Sequence, residues 1–292
     1  MCAELQLVVD AHAQLGEGPI WDDESKRLYW VDILSNHLHA YDPATKVNRT
    51  WDVGQHVGTV VPRAQGGVML ALYGGFAAFD LETEEMTFFT DPEADLPGNR
   101  FNDGKCDPAG RFWAGSMAYE NPSDQGNLWR LDLDGSVHKI MDNIAISNGL
   151  VWSSDSKTFY YIDTRAYNVR AYDYDDASGN ISNERVVIEV KQGMGGPDGM
   201  AIDAEDKLWV AHFGGGCIRR WDPESGRVME TVDVPAAQTT ACAFGGPDLD
   251  TLYITCAAMG LSDAQRAEQP HAGGLFAIKT SVRGRPTFRF AG

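Results

Sequence analysis

At 292 residues the chain is about twice the usual length of one domain, a length that closed all-β architectures reach as a single unit. Hydrophobic residues at 43% suffice for a sizeable core, and 42 Asp plus Glu against 24 Lys plus Arg give a net charge of −18. That field repels nucleic-acid phosphates and anionic membrane surfaces, so neither is expected as a partner, and an anionic product needs a local positive group to hold it.

The opening run, MCAELQLVVDAH, has neither a basic n-region nor an apolar h-region, and no apolar run approaches the ~18 residues of a membrane span. A cytoplasmic location is the expectation. The cysteines Cys2, Cys106, Cys217, Cys242 and Cys256 form an odd set without a C-x-x-C pair, which reads as reduced, buried thiols.

In chain order, LQLVVD (5–10) is a short strand that belongs to no repeat. A pattern then recurs: an Asp- or Gly-rich turn, an aromatic or aliphatic pair, and a short strand. Its instances are DDESKRLYWVDI (22–33), AQGGVMLALYG (64–74), DPAGRFWAGSM (107–117), SSDSKTFYYIDT (153–164), DAEDKLWVAHF (203–213) and GPDLDTLYITC (246–256). With Leu28, Met69, Phe112, Phe159, Leu208 and Leu252 as markers, the separations are 41, 43, 47, 49 and 44 residues. Each instance is followed by a second alternating run that ends in a turn, such as HLHAYDPATK or CIRRWDPESG. Six such units, with strands of period two and no amphipathic helix of note, predict a six-bladed β-propeller of four-stranded antiparallel blades around a central channel. The expected organisation is one domain over 1–292, with the N-terminal strand completing the last blade and closing the ring.

The residues just ahead of each innermost strand gather at one end of the channel. They read E-G-P-I-W (17–21), N-D-G-K-C (102–106), N-G-L-V-W (148–152) and D-G-M-A-I (198–202). The glycines suit positive φ and close approach at a crowded axis. A turn cap accounts for any one Asn or Asp before Gly, but Glu is a poor turn former, so Glu17 does not fit. Converging on one axis, Glu17, Asn148 and Asp198 offer three hard oxygen ligands and two negative charges, and a divalent cation relieves their repulsion. The loop after the second strand of the third unit, AYENPSDQGN, is expected to bring Glu120 beside Arg100 and Asn102. Asp103 is placed to support a ligand from behind.

LGEGPIW, NRFNDGKCDPAGRFWAG, ISNGLVWS, FYYIDT, PDGMAIDAEDKLWVA and AFGGPDLDTLYIT together resemble the gluconolactonase family, to which regucalcin belongs, over essentially the whole chain. The resemblance implies a six-bladed propeller with one divalent metal ion (Ca, Zn, Mg or Mn) in the channel, held by Glu17, Asn148 and Asp198. It also implies substrate binding by Arg100, Asn102 and Glu120. Tyr73, Tyr119, Met194 and His212 lie at or near loops where relatives vary, so the resemblance leaves the particular sugar open.

The expected function is metal-dependent hydrolysis of sugar lactones to aldonic acids, with Asp198 as ligand and candidate base. The expected partner is a small sugar lactone, and no obligate protein partner is evident. G-x-S-x-G and H-E-x-x-H are both absent. Two other classes stay open: a calcium-binding regulatory propeller, which needs the same ligands but would have no use for Arg100 and Glu120 in the mouth, and a propeller hydrolase of organophosphates or other lactones, which shares the fold and the metal logic.

Overall fold

The structure, a computed structural model, describes residues 4–120 and 124–292. The chain forms six four-stranded antiparallel sheets arranged as the blades of a propeller. The innermost strands are Gly16–Asp22, Val57–Pro62, Asn99–Cys106, Ser147–Trp152, Gly196–Ile202 and Thr239–Gly245, in blades 1 to 6. Each packs against its neighbours, and the first meets the sixth, so the ring is closed. Gln6–Val9 pairs with Leu275–Lys279 and takes the outer place in blade 6.

The alternating pattern dictates this arrangement. Inner strands are buried on both faces, apolar towards their second halves as in Ile20–Trp21 and Leu150–Trp152, whereas the outer strands, such as Arg227–Asp233, are largely exposed. The core lies between blades, where one blade's aromatics meet the next. Trp113 of blade 3, for example, packs edge-on to Trp152 of blade 4, with ring centroids 5.6 Å apart. Cys106, Cys217, Cys242 and Cys256 are free, buried thiols; Cys2 lies outside the described residues. No helix among the described residues is long and apolar enough to cross a membrane.

One element escapes the repeat pattern. A six-residue helix, Asp263–Glu268, interrupts blade 6 between its second and third strands. Ser262 and Gln265 make a reciprocal capping box that starts it. It is too short for helical periodicity to register in the sequence.

Beyond the last strand, residues 283–291 cross the end of the ring away from the candidate ligands and touch every blade. Arg283 O accepts from Ala204 N (2.8 Å) in blade 5, and Gly284 N donates to Leu249 O (2.7 Å) in blade 6. Arg285 Nη1 donates to Trp152 O (3.1 Å) in blade 4. Thr287 Oγ1 donates to Trp21 O, and Arg289 pairs with Asp22 and Glu24, all in blade 1. Phe290 N donates to Pro62 O (2.9 Å) in blade 2, and Ala291 N donates to Gly110 O (3.1 Å) in blade 3.

Candidate metal centre

Register locates the site. The markers pair with Trp21, Val61, Cys106, Trp152, Ile202 and Phe244 of the innermost strands. Four residues before each of these stand Glu17, Val57, Asn102, Asn148, Asp198 and Thr240. These six positions form one level of the channel. Each innermost strand has a register shift at this level, and such bulges re-aim side chains that a regular ladder would send elsewhere. Five of the six, all but Val57, are polar and buried; Thr240 gives its hydroxyl proton to Gly16 O, which leaves Glu17, Asn102, Asn148 and Asp198 as the carboxylates and carboxamides of this level.

The glycines that follow them serve mainly close approach. A Cβ on Gly149 would lie 2.6 Å from Met200 Cβ, and one on Gly199 would lie 2.3 Å from Ala241 Cβ. Of the three glycines that directly follow Glu17, Asn148 and Asp198, only Gly18 has positive φ, at +52°. In blade 3 the corresponding position holds Asp103, where blades 1, 2, 4 and 5 have Gly18, Gly58, Gly149 and Gly199. Asp103 is buried, with Oδ1 accepting from Gly104 N at 2.7 Å. The repeated glycine, with an acid in its place once, was the signal in the sequence that Asp103 enters the channel itself.

Two aspartates hold the ligand-bearing strands. Asp32 accepts from Gln14 N (2.8 Å) and Leu15 N (2.9 Å), just ahead of Glu17. Asp163 accepts from Ala145 N (3.0 Å) and Ile146 N (3.1 Å), just ahead of Asn148. The same clamp thus anchors both strands from the end of the neighbouring strand.

Electrostatically the site is crowded with acids. Burial pushes the Glu17 carboxyl up to about 8, and the field of Asp103 adds to the rise. Burial also pushes Asp198 well above the usual carboxylate range, reinforced by Glu17 and then Asp103. Asp103 is raised by burial as well. Asp198 Oδ1 and Asp103 Oδ2 are buried with no hydrogen-bond partner among the described residues. Buried carboxylates left this way call for a cation or a proton.

The donors fit a hard divalent cation. Among the described residues no three Asp, Glu, His or Cys side chains gather closely enough to hold a metal, so a carboxamide must complete any such set. Asn148 can do so: its Nδ2 donates to Thr164 Oγ1 (2.8 Å), which leaves Oδ1 on the side of Asn102. Two carboxylates and one amide oxygen are the ligand chemistry of calcium, magnesium or manganese more than of a thiophilic ion.

Arg100 lies beside these acids, buried, with Nη1 donating to Asn102 Oδ1 (2.7 Å) and Phe101 O (3.0 Å). Its guanidinium lies 5.8 Å from the Tyr119 ring centroid. Tyr119 OH and His56 Nδ1 are 2.6 Å apart, and Tyr73 stands next to Tyr119, so these residues wall one side of the mouth. Asn102 Nδ2 donates to Ser147 O (2.8 Å) and Asn148 Oδ1 (3.2 Å), which commits its amide within the protein. Glu120 is exposed at the edge of the described residues, and among them no hydrogen bond joins it to Arg100 or Asn102. The rest of its loop, 121–123, lies outside the described residues. His212 is fully buried in blade 5, stacked on Trp221 and held by burial at about 4, a core residue.

Fold and site together define a six-bladed propeller with an acidic, cation-ready centre at one end of its channel. The family model described as SMP-30/Gluconolactonase/LRE-like region matches residues 15–258, and the chain belongs to that family. It is 42% identical to "Putative sugar lactone lactonase YvrE" of Bacillus subtilis, with 98% of both chains covered. It is also 42% identical to regucalcin of Xenopus laevis, with 99% of both covered. A solved structure from Agrobacterium tumefaciens, titled as a calcium-binding protein, regucalcin, superposes with a TM-score of 0.93 at 30% identity. That match covers 99% of this chain and 97% of the other.

Proposed function

We propose that this protein hydrolyses sugar lactones, aldonolactones in particular, to aldonic acids, using one divalent cation held by Glu17, Asn148 and Asp198. The observation that carries the reading is the buried pair Glu17 and Asp198, both raised by burial, Glu17 further by Asp103 and Asp198 further by Glu17, with the guanidinium of Arg100 alongside. The resemblance to a relative named as a sugar lactone lactonase supports the substrate class. The cation, when bound, supplies Lewis acidity toward the lactone carbonyl and lowers the pKa of a water.

The chain's own residues do the rest. Asp198, whose Oδ1 has no hydrogen-bond partner among the described residues, takes the proton of the attacking water. Arg100, always charged, donates to ring hydroxyls and to the carboxylate as the ring opens. Asn102 accepts from Arg100 Nη1 and so presents the remaining guanidinium protons to the mouth. Glu120 accepts from a hydroxyl at the rim, and Tyr73 and Tyr119 bound the space the sugar enters. The cytoplasm, where thiols stay reduced, suits the free cysteines.

Acid release measured over a panel of aldonolactones, with calcium, zinc, magnesium or manganese added to chelator-treated protein, tests the reading. Turnover that depends on the cation supports it. Cation binding without acid release from any lactone would assign the alternative, a calcium-binding propeller without catalysis. Arg100→Ala is expected to lower kcat/KM about ten- to a hundredfold, the worth of a charge-assisted hydrogen bond. Cation affinity, read by calorimetry, should hardly change, because arginine cannot ligate a cation and Asn102 stays anchored on Ser147 O. Unchanged kinetics in that variant would remove Arg100 from the substrate's contacts.

A further inference from the structure

Thr164 is the first residue of a short 3-10 turn, Thr164–Ala166, that follows the second strand of blade 4. It lies between two blades that each contribute a candidate ligand. Its hydroxyl accepts from Asn148 Nδ2 at 2.8 Å and donates to Pro197 O at 2.8 Å, immediately before Asp198. From the other side, Asn102 Nδ2 donates to Asn148 Oδ1 at 3.2 Å, and Asn102 Oδ1 accepts from Arg100 Nη1 at 2.7 Å.

These bonds form a single chain in which every donor points the same way: Arg100 to Asn102, Asn102 to Asn148, Asn148 to Thr164, Thr164 to Pro197. Its ends cannot reverse. A guanidinium only donates, and a backbone carbonyl oxygen only accepts. Amide orientation is assigned from the hydrogen-bond network, and here the network permits one assignment. Turning Asn148 over would set its NH2 against the NH2 of Asn102 and leave Pro197 O without the hydroxyl proton.

We infer that Thr164 is a positioning residue for the cation: it fixes which end of the Asn148 carboxamide faces the acids and ties that ligand to the backbone that carries Asp198. The inference rests on the proposed role of Asn148 as a ligand. A carboxamide free to turn presents NH2 to a cation part of the time, and groups that orient a ligand from behind typically carry ten- to a hundredfold in metal affinity. No other residue accepts from Asn148 Nδ2 among the described residues.

The test is calorimetric titration of calcium and of manganese into chelator-treated, full-length protein, with the melting temperature of each cation-free variant measured alongside. Thr164→Val removes both hydrogen bonds and should weaken binding about tenfold or more. Thr164→Ser restores the hydroxyl and should bind like wild type. Thr164→Ala, smaller and without the hydroxyl, should weaken binding too, which covers the case in which the valine variant does not fold. In an Asn148→Ala background there is no amide left to orient and only the bond to Pro197 O remains to be lost, so Thr164→Val should cost much less than it does beside Asn148. Wild-type affinity in Thr164→Val or Thr164→Ala overturns the inference, as does an equal loss with and without Asn148. Wild-type protein that binds neither cation overturns the metal reading itself, an outcome visible before any variant is compared.

Discussion

Asp198→Asn is expected to lose activity about 10²–10⁴-fold, the range for removal of a general base, at every cation concentration. The variant keeps an oxygen ligand of nearly the same shape but lacks one negative charge and the proton acceptor. Cation affinity should therefore fall, yet binding should be recoverable as the cation is raised. Asn148→Asp is the comparison. It retains an oxygen, adds a charge and leaves Asp198 intact, so it should bind the cation and keep measurable turnover. Calorimetry and initial rates on the same samples separate the two roles. Wild-type turnover in Asp198→Asn at saturating cation would reduce Asp198 to a ligand. Glu17, the other carboxylate at the same level of the channel, would then be the first candidate for the base.

The second large effect is on stability. Burial raises Glu17 from its ordinary 4.5 to about 8, and Asp198 and Asp103 are raised as well. In cation-free protein, the folded state therefore holds protons across that window that the unfolded chain has already released. The stability these acids contribute falls as pH rises from about 4.5 towards 8, because it declines wherever the folded state binds more protons. The buried His39 and His212, held down at about 3 and about 4, run the other way up to their ordinary 6.5, so the net fall is expected over the window from about 6.5 towards 8. A divalent cation takes the place of those protons, so its stabilising effect should be small near the bottom of the window and large at the top. Thermal melts of chelator-treated protein should show a melting temperature lower by at least about 4 °C at the top, with calcium recovering most of the loss. Glu17→Gln should flatten the dependence. Equal melting temperatures across the window without cation would mean that the acids are relieved by something other than protons.

Much of this was legible in the sequence because the fold repeats. The turn-aromatic-strand pattern, with its near-regular spacing, gave six blades, and the position expected ahead of each innermost strand named Glu17, Asn102, Asn148 and Asp198; the structure places them within those strands, at the register shifts, on one level. What was not legible depends on contacts between blades. Thr164 appears in the sequence only as the last letter of FYYIDT, and its value comes from Pro197, 33 residues away in the next blade. The committed amide of Asn102 could not be read either, since its partners Ser147 and Asn148 lie in another repeat. His212 ends a strand on the side of the mouth, yet its burial against Trp221 follows from packing inside blade 5. The tail was invisible for a different reason: apart from Asp22 and Glu24, which pair with Arg289, its partners are backbone carbonyls and amides, which leave no mark in residue type.

That tail bears on how the ring comes apart. A closed circle of sheets has one covalent break, here spanned by Gln6–Val9 on Leu275–Lys279, and fraying would start there. Residues 283–291 follow every blade in the chain and need all six in place to find their partners. Their full set of contacts therefore exists only in the closed ring, and neighbouring blades cannot part without breaking some of them. Interactions formed after the folding barrier leave the folding rate alone and slow unfolding instead. The segment thus acts as a latch on lifetime, lengthening the time for which the folded ring persists without hastening its assembly.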